Sequence, residues 1–230
     1  MNAVASQVHE TDAPARTVVA PAEHLTDGQR AAVARLGCVL ERPGSLAVVC
    51  GPTGTGVTTL LRHVEAAVSR TRTVACRPLV EWESIDPVRW PDVVIADDVH
   101  DAADGAISRL LARVRAGHAG AGVVLAGRGR VFTLLARDQA AESQVSLRAV
   151  LHPFTAAETA ALLASAAPRA GVSPAALDPV ALTIHEIAGG VPAAALRLAE
   201  MALLVASSSG GPLRPADVEA LHRRVSLTAA

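Results

Sequence analysis

Apolar positions along the chain switch between short unbroken runs and helically spaced sets, and that alternation outlines an architecture before any single residue is interpreted. Ala32, Val33, Leu36, Val39 and Leu40 recur at helical spacing behind Thr26-Asp-Gly-Gln29, a capped start with glutamine three residues after threonine, and Pro43-Gly44 stops the pattern. Leu46-Ala-Val-Val-Cys50 is then a continuous apolar run, as expected of a strand covered on both faces. Leu60, Leu61, Val64 and Val68 restore helical spacing between Thr58 and Ser69. Further strands are predicted at Thr73 to Leu79, Val93 to Ala96, Val123 to Ala126 and Val145 to Leu151, with a helix from Ala106 to Ala116. Strands alternating with helices predict an α/β fold with a doubly wound, parallel, five-stranded sheet. Beyond Pro153 only helical patterns remain, over Thr155 to Ala167, Pro174 to Ala188, Pro192 to Ala206 and Pro215 to Val225, which predicts a small all-helical domain. Ser207 to Pro212 reads as a surface loop. The expected organisation is a flexible leader over 1–24, a sheet domain over 25–153 and a helical domain over 154–230.

Candidate chemistry sits at the end of the first predicted strand. Gly51-Pro-Thr-Gly-Thr-Gly-Val-Thr-Thr59 fits a phosphate-binding loop, G-x-x-x-x-G-K-[ST], except that Val57 occupies the lysine position. The glycines and the lysine do separable work: loop amides cradle phosphates, whereas the ammonium neutralises the β- and γ-phosphates. No other lysine can substitute, because all 21 basic residues are arginine. A helix opening at Thr58 directs unpaired amides at a bound phosphate. About forty residues on, Val93-Val-Ile-Ala96 ends in Asp97 and Asp98, the arrangement of a Walker B strand. In that arrangement Thr58 and Asp97 hold Mg²⁺, Asp97 through water, and Asp98 orients the attacking water. Gly51, Pro52, Thr53, Gly54, Thr55, Gly56, Val57, Thr58 and Thr59 are thus the candidate nucleotide-binding residues, with ATP and Mg²⁺ as the expected ligands.

Composition narrows the alternatives. Aromatic residues are 2 % of the chain and tyrosine is absent, which disfavours recognition by base stacking. A net charge of −1 argues against a general nucleic-acid coat. Charge is unevenly spread: eight acids against Arg89 fall within 81–104, and seven arginines against Asp138 and Glu142 within 105–150. Such polarity suits subunit stacking, a nucleic-acid contact, or two solvated surfaces. Cys38, Cys50 and Cys76, without a C-x-x-C spacing and among apolar neighbours, read as ordinary buried thiols of a reduced, cytoplasmic protein. No run approaches the length of a membrane helix, and no secretory signal begins the sequence.

Gly51 to Leu61, Asp97-Asp98-Val99-His100, Val123 to Gly127, His152-Pro-Phe-Thr155 with Glu158, and Gly189-Gly190-Val191-Pro192 together resemble the AAA+ ATPases, specifically the ExeA-type ATPases of general secretion and their TniB-like transposition relatives. The resemblance covers roughly residues 25 to 225. It implies ATP bound to the sheet domain, a helical lid closing over it, and oligomers in which one subunit's arginine meets its neighbour's phosphate. Four positions depart from the family pattern: Val57 for lysine, Asp98 for the Walker B glutamate, Ala193 for the lid arginine unless Arg197 substitutes, and Gln144, near Arg148, for an arginine late in the sheet domain. Arg128, where relatives place a polar sensor, either stands in for the lysine or is a solvated loop residue. The expected function is an ATP-binding module with weak or lost hydrolysis, acting as a switch or assembly factor with itself or a protein partner. The alternatives are an ATPase rescued by Arg128 or a partner arginine, and a non-catalytic scaffold or DNA-handling adaptor.

Overall fold

The computed structural model describes residues 24–84, 89–209 and 211–228, so all but the last residue of the predicted leader lies outside it. Helix α1 (Asp27–Leu40) starts at the expected capping box, in which the Gln29 amide donates to Thr26 Oγ1 and the Thr26 amide donates to Gln29 Oε1. Strand β1 (Leu46–Cys50), helix α2 (Val57–Val68), strand β2 (Val74–Pro78), the short helix α3 (Leu79–Ser84) and strand β3 (Val93–Asp97) follow. Helix α4 (Ala106–Gly117), strand β4 (Gly122–Gly127), the short helices α5 (Arg130–Ala136) and α6 (Gln139–Glu142), and strand β5 (Val145–Val150) complete the α/β part.

The five strands are parallel, in the order β2-β3-β4-β1-β5. Inner strands β1, β3 and β4 are buried at every position, which is why they read as unbroken apolar runs. Edge strands β2 and β5 keep partly exposed positions. Successive side chains leave opposite faces of the sheet. Val48, Val94, Ala96, Val123 and Leu125 pack against α3, α4 and α5, whereas Ala47, Val49, Val93, Ile95, Val124 and Ala126 pack against α1 and α2. The doubly wound sheet is therefore sandwiched between two helical layers. In the first layer Trp82 stacks on Trp90 at 5.6 Å and donates its indole N–H to the Ile95 carbonyl at 3.1 Å, anchoring α3 to β3. At the other end of β3, Asp92 accepts from the Thr73 amide and hydroxyl and from His118, and these contacts hold its carboxyl down to about 2.

Helices α7 (Ala156–Ala166), α8 (Ala181–Ala188), α9 (Pro192–Ser209) and α10 (Pro215–Thr228) form a third apolar cluster around Phe154, Leu163, Ile184, Leu198 and Val218. Helix α7 opens at another capping box, Thr155 with Glu158. Two sequence expectations change here. The pattern over 174–188 is one helix only from Ala181, because it is preceded by two 3-10 turns, Pro174–Ala176 and Asp178–Val180, whose prolines lack the amide an α-helix requires. Helix α9 runs through Ser209, into the segment read as a loop. A third correction concerns the thiols: Cys38 is exposed rather than buried. Among the described residues, no helix is long and apolar enough to cross a membrane.

Candidate functional site

The chain leaves β1 into a loop pinned from several sides. The Gly51 amide donates to the Gly127 carbonyl at 3.2 Å, tying the loop to the end of β4. The Thr55 amide and hydroxyl both donate to the Pro52 carbonyl, at 3.2 and 2.7 Å, and Gln29 Nε2 of α1 donates to the Thr55 carbonyl at 3.3 Å. Gly54 and Gly56 take φ values of +83° and +95°, which side chains resist, so the glycines of the motif are required by the turn itself. Helix α2 then begins at Val57 without a side-chain cap, leaving its first amides unpaired within the helix and its positive dipole end at the loop.

Thr58 Oγ1 donates to Asp97 Oδ2 at 3.0 Å across 39 residues of sequence, which joins the loop to the end of β3. The other carboxylate oxygen of Asp97 accepts the Asp98 amide at 2.8 Å. Asp97 is 8 % exposed, and Asp98 beside it is open to solvent. Among the described residues Asp98 is the one non-glycine residue at positive φ, +53°, a strained conformation of the kind that collects at functional positions.

These groups surround a cavity of about 560 Å³. Every candidate loop residue except Thr55 lines it, as do Asp97, Asp98, His100, Gly127 and Arg128 from the sheet, and Pro192, Ala193, Leu196, Arg197 and Glu200 from α9. Thr55 is fully buried with its hydroxyl turned back into the loop. Val57 does not plug the hollow, since its side chain folds toward Gly51 and packs against the apolar cluster of α1 and α2. Helix α9 sits directly on the loop: the Ala193 amide donates to the Gly54 carbonyl at 3.2 Å, and a Cβ on Gly54 would meet Val191 Cγ1 at 2.8 Å. The turn before α9 is fixed by Gly190, whose carbonyl accepts the Phe154 amide at 2.7 Å and whose missing Cβ would lie 2.3 Å from the Phe154 carbonyl oxygen. The two separated motifs of the sequence, around Phe154 and around Gly190, are thus one structural unit.

Arg128 also lines the cavity and donates Nε–H to His100 Nε2 at 2.6 Å. Late in the sheet domain, Gln144 donates to the Ala140 carbonyl and the nearby Arg148 pairs with Glu142. His100, Gln29 and Glu200 were given no role by sequence reasoning beyond a motif letter or a helix cap. Gln29 and His100 act through partners 26 and 28 residues away, a relation that local patterns do not display. Burial, with Glu65 and Asp97 nearby, pushes the Cys76 thiol up to about 11, so it supplies no thiolate.

Among the described residues no group of three or more His, Cys, Asp or Glu side chains is placed to hold a metal unaided. The hydroxyl of Thr58 and the carboxylate of Asp97 do fit Mg²⁺, which prefers oxygen donors and is commonly held by one or two protein groups together with substrate phosphates.

No protein-family model and no curated protein matches the sequence. Solved structures do. The Aeropyrum pernix ORC2 protein, in ADPNP and ADP complexes, superposes with a TM-score of 0.64 at 19 % identity, covering 88 % of this chain and 68 % of that one. A RuvB variant of Thermotoga maritima gives 0.59 at 19 % identity over 86 % and 66 % of the two chains. The replication initiator DnaA, bound to AMPPCP and single-stranded DNA, gives 0.59 at 14 % identity over 88 % and 66 %. The likeness shows the fold: an α/β architecture, a five-stranded parallel sheet followed by a set of helices, that matches these AAA+ P-loop NTPase structures.

Proposed function

We propose that this chain is an ATP-binding AAA+-type module with weak or lost hydrolysis, in which nucleotide bound beside the loop changes how α9 is held there and so switches an assembly surface. The observation that carries the reading is the 3.0 Å contact of Thr58 with Asp97 at the edge of an open cavity whose lysine position is held by a folded-back valine. Loop amides, the α2 dipole and a hydroxyl–carboxylate pair are retained, and the ammonium is not. Loss of a unit charge about 4 Å from a phosphate removes roughly 4 kcal/mol of gross Coulomb attraction at an intermediate dielectric, and even half of that slows turnover more than tenfold. The Asp98 carboxylate, one methylene shorter than glutamate, weakens water activation further, since a misplacement of about 1 Å costs on the order of 100-fold. The module works in the cytoplasm, with Mg²⁺ as co-ligand, as a homo-oligomer or with a protein partner. The motifs that resemble the ExeA and TniB kind support a role of that type.

Calorimetry with ATP and ADP, each with and without Mg²⁺, tests the binding. Steady-state phosphate release tests the chemistry. Micromolar to sub-millimolar ATP affinity with turnover far below an intact P-loop ATPase is expected; no binding at millimolar nucleotide sinks the proposal and leaves the scaffold. One observation favours a second reading, an ATPase rescued in cis: Arg128 lines the same cavity. Normal turnover abolished by Arg128→Ala decides for it. The DNA-handling reading draws on the DnaA neighbour, whose structure holds single-stranded DNA. Three arginines of the basic 105–150 segment are engaged within this chain, Arg113 with the Trp82 and Glu83 carbonyls, Arg115 with those of Ala121 and Gly44, and Arg130 with that of His100.

A further inference from the structure

We propose that His100 is a positioning residue that holds Arg128 against the cavity wall, and that the tethered pair gives the site its preference for a nucleoside triphosphate over a diphosphate. This rests on the nucleotide-binding reading above. In a chain without lysine, the arginines lining the cavity are Arg128, beyond β4, and Arg197, on α9, where Glu200 lines the cavity three residues further on. Arg128 is therefore the cation on the sheet side, beside the Asp97 and Asp98 end of the neighbouring strand β3. An arginine on a loop ordinarily samples many rotamers, and ordering it on the ligand opposes binding. Here Nε is already committed to His100 Nε2 at 2.6 Å, while the two terminal nitrogens have no partner among the described residues and stay available to an anion.

The imidazole is built into place rather than resting on the surface. His100 is 8 % exposed, it follows the fully buried Val99, and its carbonyl accepts Arg130 Nη1 at 2.5 Å. The end of β4 must be glycine for the ring to fit, because a Cβ on Gly127 would come within 2.8 Å of His100 Nδ1 and 2.9 Å of Val131 Cγ2. Accepting from Arg128 through Nε2 assigns the ring proton of the neutral imidazole to Nδ1, and Nδ1 is a buried polar atom without a hydrogen-bond partner. A fold that only needed to fill this space would do so with an apolar side chain. An imidazole kept with one nitrogen unsatisfied and the other on an arginine is explained by the arginine. Asp101 Oδ1, 3.6 Å from Nε2, is too distant to replace that contact.

The test is calorimetric titration of the full chain with MgADP and with the Mg²⁺ complex of a non-hydrolysable ATP analogue, read as the ratio of the two dissociation constants. Wild type is expected to favour the triphosphate by about tenfold, the worth of one charge-assisted hydrogen bond. His100→Leu and Arg128→Ala should each bring the ratio close to one with little change in ADP affinity, and the double variant should add nothing. His100→Gln, which places an acceptor oxygen where Nε2 stands, should restore most of the preference, and it serves as the informative variant if His100→Leu melts early. A ratio unchanged in His100→Leu while Arg128→Ala loses it overturns the positioning role. So does equal weakening of both nucleotides in all variants, the signature of a merely structural histidine. Wild type binding neither nucleotide overturns the nucleotide reading itself, and this inference with it.

Discussion

At the scale of single residues, position 57 separates what the loop backbone does from what its side chain does. The backbone is intact: Gly54 and Gly56 are left-handed, α2 opens without a cap, and Thr58 reaches Asp97. The side chain is apolar and turned toward the packed side of the loop. Val57→Lys is therefore expected to raise ATP affinity by tenfold or more, about half the gross Coulomb figure surviving solvent and Mg²⁺, while leaving turnover low because Asp98 is unchanged. Calorimetry and phosphate release on one preparation check both halves, and an unaltered affinity would show that phosphates do not lie over this loop. The glycines and aspartates of the site were legible in the sequence because each is demanded by local geometry or by a strand end. His100 and Gln29 were not, because their roles depend on how β4 and α1 dock, and no spacing within twelve residues encodes that.

At the scale of elements, legibility followed burial. Strands β1, β3 and β4 announce themselves by unbroken apolar runs, since both faces are covered. Helix α3, with six residues, is shorter than the window in which helical periodicity can be counted. Over 174–188 the spacing of Leu177, Val180, Ala181 and Ile184 continues across a break, because a 3-10 turn also returns apolar side chains to the same core. The contact between elements with most consequence for function is that of α9 on the loop, and it depends on Gly54 lacking a Cβ. In Gly54→Ala the new methyl would lie 2.8 Å from Val191 Cγ1 and 3.1 Å from Ala193 Cβ, at a φ of +83°. This variant is expected to lift α9 from the loop, speed amide exchange at Ala193 to Ala195, and shrink the thermal shift given by Mg-ATP. Gly37→Ala is the control. Nothing lies within 4 Å of its added Cβ on α1, so it should stabilise by about 0.5–1 kcal/mol and leave nucleotide linkage alone. Equal behaviour of the two variants would mean that α9 does not dock there.

At the scale of the molecule, several charges of the acidic segment 81–104 and the basic segment 105–150 are paired with one another or with backbone carbonyls among the described residues. Arg109 pairs with Glu83 at 2.7 Å, Arg137 with Asp104 at 3.2 Å, and Arg148 with Glu142. Arg113 donates to the Trp82 and Glu83 carbonyls at 2.6 and 2.9 Å and lies 5.9 Å from the Trp90 ring centre. The Arg109 and Arg113 contacts stitch α3 and α4 together, a structural use of arginine that formal charge along a sequence cannot distinguish from a binding patch. Arg115 gives the sharpest discrimination. Its two terminal nitrogens bridge the Ala121 carbonyl at 2.6 Å and the Gly44 carbonyl at 2.7 Å, closing the turn before β1 onto the start of β4, and burial shifts its guanidinium pKa downward. Arg115→Gln leaves at least one of these carbonyls without a donor, so urea unfolding should show a loss of about 1–3 kcal/mol. A nucleic-acid role for the same residue requires the opposite pattern, stability within a few tenths of a kcal/mol of wild type and a DNA affinity that falls with a shallower salt slope. Running both assays on Arg115→Gln decides whether the arginine-rich segment is a surface for a polyanion or, as its carbonyl contacts indicate, a brace that keeps β1 and β4 in register beneath the loop.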